Sequence, residues 1–232
     1  MNSIIDRLKE VRSSIESACL QSNRSPESVQ LLAVSKTKPA DKIRQLYQAG
    51  QRHFGENYLQ EALQKQLQLT DLSDIVWHFI GPIQSNKTRD IATHFTWVQS
   101  IDRLKIARRL NEQREQHMPP LNILIQVNID DEQSKAGIGP DQLAEFAAEL
   151  QQFPQLKLRG LMTLPAANPT AEQQRQSLTA MQRLFSELKS QYPTVDTLSM
   201  GMSNDLETAI AAGSTMVRIG TALFGARDTN KE

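Results

Sequence analysis

What this chain has little of narrows it before any motif is read. One residue in 232 is cysteine, so no internal disulfide can form and a reducing compartment is expected. No apolar run approaches the ~18 residues of a membrane span, so no membrane association is expected. The opening MNSIIDRLKEVRSSIES is charged throughout and lacks the apolar stretch of a signal peptide. Neither sign of charge is in excess: 26 Lys and Arg face 26 Asp and Glu. That removes the strong field that binding to nucleic acid or an anionic surface needs. His53, His78, His94 and His117 show no metal-ligand spacing, so no metal site is expected. Long linkers, internal repeats and low-complexity tracts are missing too. Hydrophobic residues, 39% of the chain, recur in spaced clusters, which argues against disorder. A cytoplasmic, single-domain protein spanning 1–232 is expected.

What is present has a clear rhythm. Ile4, Leu8, Val11, Ile15 and Cys19 share one helical stripe, predicting an N-terminal helix within 1–22. Cys19, inside that stripe, reads as a small buried apolar residue. Leu31 to Val34 form a continuous apolar run ending at Ser35-Lys36, the pattern of a strand covered on both faces. Further strands are expected at 52–54, 75–80, 97–100, 122–128, 157–162, 195–200 and 215–219. Amphipathic stretches separate them, among them 40–49, 56–69, 102–116, 140–151, 170–190 and 204–212. Residues 164–172 read as a Pro/Ala loop, and 228–232 as a disordered tail.

Strands alternating with helices predict parallel pairing, and about eight such units predict an α/β fold, a (β/α)8 TIM barrel. The competing doubly wound sheet commonly carries a glycine fingerprint in its first turn, and LLAVSKTKP has no glycine. The N-terminal helix is expected to cover the barrel floor in a monomer.

Such barrels carry their sites at the C-terminal strand ends. These are Lys36, Asn57, Gly81 to Lys87, Asn128, Met162-Thr163, Met200 to Asp205 and Gly220-Thr221. Gly201 to Asp205 runs from a strand into a helix, with Ser203 the expected N-cap. Gly220 lets backbone approach a ligand, and Thr221 adds a hydroxyl. Spacing alone is equally consistent with ordinary capping and a turn glycine. Arg218 alternates onto the same face as Gly220, so it points into the barrel. There it meets either an acidic core residue or a ligand acceptor.

Lys36 is either a snorkelling rim residue or an amine made nucleophilic by burial and a nearby cation. Lys38 shares its parity and is a rival. Asp130-Asp131-Glu132, and the cluster Arg103, Lys105, Arg108 and Arg109, read as solvated surface. Met200 and Met202 read as core. No Ser/His/Asp pattern falls on strand ends, and no catalytic residue is assigned.

LLAVSKTKP at 31–39, FGENYLQE at 54–61, WHFIGPIQSNKTR at 77–89 and LSMGMSNDLETAIAAGSTMVRIGTALFGAR at 198–227 resemble the pyridoxal phosphate homeostasis protein family. The resemblance runs in order over essentially the whole chain. It implies a barrel like the N-terminal domain of alanine racemases, the fold-type III group of pyridoxal 5'-phosphate (PLP) proteins. Carried over by position, Lys36 would form the internal aldimine with PLP. Ser203, Gly220 and Thr221 would hold the phosphate, Arg218 would face the pyridine nitrogen, and Asn57 would lie beside the ring.

The implied function is intracellular PLP homeostasis: holding the aldehyde and releasing it to apo PLP-dependent enzymes. An alanine racemase adds a second domain and a partner tyrosine, and here the sequence stops at Glu232. Arginine at the ring nitrogen also makes the ring a weaker electron sink. The competing readings are a PLP-dependent enzyme such as an amino-acid racemase, and a Schiff-base aldolase. Lys135 reads as a solvated loop lysine, with a second amine at the mouth as the alternative.

Overall fold

Eight parallel strands close on themselves in the computed structural model, which describes residues 3–132, 135–166 and 169–225. They are β1 (Gln30–Val34), β2 (His53–Glu56), β3 (Val76–Phe79), β4 (Trp97–Ile101), β5 (Leu121–Gln126), β6 (Leu156–Met162), β7 (Thr197–Ser199) and β8 (Met216–Ile219). Each pairs with its neighbour in sequence. The ring closes where β1 meets β8, Gln30 opposite Met216 through Ala33 opposite Ile219. Helices lie outside the ring: α1 (Ile4–Gln21), α2 (Ala40–Gln48), α3 (Leu59–Gln68), α4 (Thr88–His94), α5 (Leu104–Gln113), α6 (Leu143–Leu150), α7 (Ala171–Gln191), α8 (Leu206–Ala211) and α9 (Thr221–Phe224). The fold is an α/β, single-domain TIM barrel.

All eight expected strands are present, with two local differences. β2 continues to Glu56, where a helix was expected to begin. Gly55 and Glu56 have poor strand propensity, yet Gly55 opposite His78 and Glu56 opposite Phe79 extend the pairing with β3. α4 did not stand out in the sequence, because its seven residues carry only two buried apolar side chains, Ile91 and Ala92. The tail expected at 228–232 lies outside the described residues, as do two residues of the expected 164–172 loop.

α1 starts with a capping box. Ser3 Oγ accepts from the Asp6 N–H, and Asp6 Oδ2 accepts from the Ser3 N–H, both at 3.1 Å. Its buried stripe is Ile4, Leu8, Val11, Ile15, Ala18 and Cys19, and burial pushes the Cys19 thiol above its ordinary pKa. The stripe does not cover the barrel floor. It packs on the flank against α2, α8 and α9, over the outward residues Leu31, Ala33, Val217 and Ile219. Those strand residues face out of the ring and need an apolar cover there, worth ~1.5–3 kcal/mol for each large side chain.

Most of the core lies between the strands and the helices. Inside the ring the filling is mixed. Trp97, Leu124 and Met162 form a small apolar cluster, and buried polar side chains such as His78, Gln99 and Ser199 share the interior with Leu32 and Met216. Among the described residues, no helix is long and apolar enough to cross a membrane, and no group of three or more potential metal ligands occurs.

Candidate functional site

A cavity of 430 Å³ opens at the C-terminal ends of the strands. That size suits a small molecule. Lys36 and Asn57 line it from the ends of β1 and β2. Met162 comes from β6, Ser203 from the loop after β7, and Arg218, Gly220 and Thr221 from β8 and the start of α9. Val34, Ile80, Leu164 and Met202 add apolar wall. All six expected site residues therefore meet in one place. Lys36 lines the cavity and Lys38 does not. A larger recess of 620 Å³ sits at the opposite end of the barrel, beside Gln30, Arg52 and α1.

Arg218 is 4% exposed and, among the described residues, holds no carboxylate directly. One guanidinium nitrogen donates to both the carbonyl and the hydroxyl of Ser199, each at 2.7 Å. The other donates to the Thr163 carbonyl at 2.6 Å. Burial lowers its pKa to about 10, against the pull of Asp205, so it stays cationic at neutral pH. Three of the five N–H bonds of a guanidinium are thus committed to neutral oxygens, leaving two.

Asn57 is shaped by its neighbour across the turn. A Cβ on Gly81 would sit 2.1 Å from the Asn57 carbonyl oxygen, so only glycine admits this packing. The Asn57 Oδ1 is buried without a partner.

The loop after β7 differs from expectation. α8 begins at Leu206 with Asp205 at its N-cap, not Ser203. Asp205 Oδ1 accepts from the Met202 N–H at 2.5 Å, which folds the loop back. Ser203 is left exposed on the cavity rim. Met202, expected in the core, is 39% exposed on that rim, whereas Met200 is fully buried. Lys135 pairs with Glu132 at 2.7 Å, donates to the Pro165 carbonyl and does not line the cavity.

The sequence matches the family described as alanine racemase, N-terminal domain, over residues 17–228. It is 55% identical to the pyridoxal phosphate homeostasis protein of Escherichia coli, across 100% of both chains. With that of Pseudomonas aeruginosa it shares 56% over 98% of this chain and 97% of the other. The chain belongs to the pyridoxal phosphate homeostasis protein family. A solved structure of PipY from Synechococcus elongatus with PLP bound superposes on this homeostasis-family barrel with a TM-score of 0.84. That pair is 40% identical, covering 96% of this chain and 100% of PipY.

Two features of this family member were not found from its sequence. The first is a polar chain through the barrel interior. Ser199 Oγ donates to Gln99 Oε1 at 2.7 Å, Gln99 Nε2 approaches His78 Nδ1 at 3.0 Å, and His78 Nε2 approaches His53 Nδ1 at 3.0 Å. With Arg218 at its head, every donor in the chain can run the same way. Burial holds His78 well below the ordinary histidine pKa, helped by His53, and burial lowers His53 as well. Alternation does place His78 and Ser199 on the inner face, but the links between strands are long-range.

The second is a buried charged group behind Lys36. Glu56 is fully buried, and burial raises its pKa against the opposing charge of Lys65. The sequence signal was the four-residue spacing of Glu61 and Lys65, which reads as an ordinary surface pair on a helix.

Proposed function

We propose that this chain binds PLP in the strand-end cavity, holds it by a reversible covalent bond to Lys36, and releases it to apo-enzymes in the cytoplasm. We assign it no robust catalysis of its own, and treat residues 1–232 as one PLP-binding unit acting as a monomer. One observation carries the site assignment: Lys36, Asn57, Ser203, Arg218, Gly220 and Thr221, drawn from four separate segments of the sequence, line a single cavity.

The residues present fit the group. Asn57 Oδ1 is a buried acceptor still lacking a donor. A Cβ on Gly220 would meet nothing nearer than Val34 O at 3.4 Å, so packing does not demand glycine there. Its bareness instead leaves backbone open to the cavity. Val34, Ile80, Met162 and Leu164 offer apolar walls for a flat ring.

When bound, PLP supplies an aldehyde that condenses with a primary amine, a C=N bond replacing C=O with loss of one water. Lys36 provides that amine. The hydroxyls of Ser203 and Thr221 and the backbone at Gly220 hold the phosphate. Arg218, cationic and a donor only, faces the ring nitrogen and disfavours its protonation. A ring so held is a poor electron sink, which supports storage over carbanion chemistry.

The test is a titration of the purified protein with PLP. A yellow band should grow to saturation, bleach with borohydride, and leave a reduced adduct that peptide mass mapping finds on Lys36. Loaded protein should then restore activity to an apo PLP-dependent enzyme. No uptake at excess PLP would overturn the binding assignment. Amino-acid racemisation well above that of free PLP would make the protein an enzyme.

A further inference from the structure

The segment that carries Lys36 is gripped from behind by side chains that none of the steps above uses. Lys65, on α3, is 5% exposed. Its ammonium donates to the Ser35 carbonyl at 2.7 Å and to Glu56 Oε1 at 2.7 Å, and it lies 2.5 Å from Glu61 Oε1. Glu56 Oε1 also accepts from the Ser35 hydroxyl at 2.6 Å. Glu61 Oε1 accepts from the Thr37 N–H at 2.5 Å. The residues on both sides of Lys36 are thereby tied to one ammonium, Ser35 directly and Thr37 through Glu61.

Two physical points make this more than packing. Burying an ammonium against a buried carboxylate is expensive, even with the partly exposed Glu61 beside it, and an apolar side chain would fill the same space at less cost. Thr37 has a φ of +63°, a left-handed conformation that a β-branched residue rarely adopts and that must be imposed from outside. The Thr37–Glu61 bond supplies such a constraint. α3 is already fastened to the barrel by Leu59 and Ala62, so the polar bonds are not needed to dock it.

We propose that Lys65 is a positioning residue for Lys36: with Glu56 and Glu61 it fixes the backbone on either side, so that the Lys36 amine meets an aldehyde in a reactive orientation. This role rests on the reading of Lys36 given above. It concerns the rate of covalent capture, not the affinity of the cavity for a ring and a phosphate.

The experiment compares Lys65→Met, Glu61→Ala and Glu61→Gln with wild type in two measurements. One is the stopped-flow rate at which the yellow band forms with PLP. The other is the affinity for pyridoxine 5'-phosphate, which has the same ring and phosphate but no aldehyde. Lys65→Met should slow capture about 10- to 100-fold, the scale expected when a reacting group is displaced by ~1 Å. Glu61→Ala, at a partly exposed position, should slow it about tenfold, and Glu61→Gln, which keeps an acceptor for Thr37, should restore most of the rate. Affinity for pyridoxine 5'-phosphate should hold within about twofold throughout.

Capture at the wild-type rate in both Lys65→Met and Glu61→Ala would overturn the proposal. So would a loss of pyridoxine 5'-phosphate affinity in step with the rate, which would mark a general structural role. If Lys65→Met does not fold, the Glu61→Ala and Glu61→Gln pair decides by the same criteria. Failure of the wild type itself to form a band, or an adduct away from Lys36, would instead overturn the reading of Lys36.

Discussion

The two walls of the cavity are built on opposite chemistry. Behind Lys36, on the β1–β2 side, Lys65 and Glu56 are buried together as an ion pair, with the partly exposed Glu61 beside them. On the β7–β8 side the buried Arg218 bonds directly to neutral oxygens, with the buried Asp205 acting on it only through space, and the hydroxyls of Ser203 and Thr221 stand exposed at the rim. Buried ion pairs hold geometry and tolerate little change, whereas exposed hydroxyls exchange partners with water at small cost. The first wall suits covalent capture and the second suits release. A carrier of the kind proposed above would need both, and the barrel offers them on separate strands.

The largest expected effect that tests this contrast is at Lys36. Lys36→Ala should abolish the yellow band and the borohydride-fixed adduct, while pyridoxine 5'-phosphate still binds through the other wall. A surviving adduct would move the capture role to Lys38. Next comes Arg218→Glu, which sets a carboxylate against the Ser199 and Thr163 carbonyls. It should cost several kcal/mol of stability in a denaturant titration and shift or erase the spectrum of bound PLP. An unchanged spectrum would break the contact assigned to the ring nitrogen.

A pair of glycine substitutions sharpens the comparison further. Gly81→Ala forces a Cβ to within 2.1 Å of backbone and should cost about 1–3 kcal/mol of stability. Gly220→Ala meets only ordinary contacts, so stability should stay within about 0.5 kcal/mol while PLP retention falls about tenfold. Retention unchanged in Gly220→Ala would remove Gly220 from the phosphate wall.

The smallest effect concerns pH. His78 is held neutral by burial, so the unfolded chain binds a proton that the folded one refuses. Stability should therefore be lost as pH falls through the ordinary histidine range, by at most ~1.4 kcal/mol per pH unit for this group. NMR titration of the imidazoles checks it: a His78 that protonates near 6.5 would contradict the neutral chain.

Much of the fold could be read in advance, because continuous apolar runs such as Leu31 to Val34 mark strands covered on both faces. The rule that places sites at strand ends then picked out Lys36, Asn57 and Gly220-Thr221 without any partner information. What escaped depended on contacts distant in sequence. Lys65 looks like a solvated helix residue until α3 docks and Ser35 and Glu56 close over it. His53 and His78, weighed as metal ligands, belong to a hydrogen-bonded chain that only ring closure assembles. Ser203 was expected at a helix cap, but Asp205, two residues on, binds back to Met202 and takes that position. Met202 looked like core because its neighbour Met200 is core, and the turn between them separates their fates.

The closing seam between β1 and β8 has a consequence for how the molecule comes to exist. Lys36 follows the first strand and Gly220 follows the last, so the two sides of the cavity are the two shores of that seam. During synthesis the lysine emerges well before its counterpart, with six further strands of the ring made in between. Such distant pairing is slow to form. A vitamer bridging the gap would act as a clasp, favouring the finished ring by mass action. α1, laid across the outside of the same junction, is a second clasp made of protein.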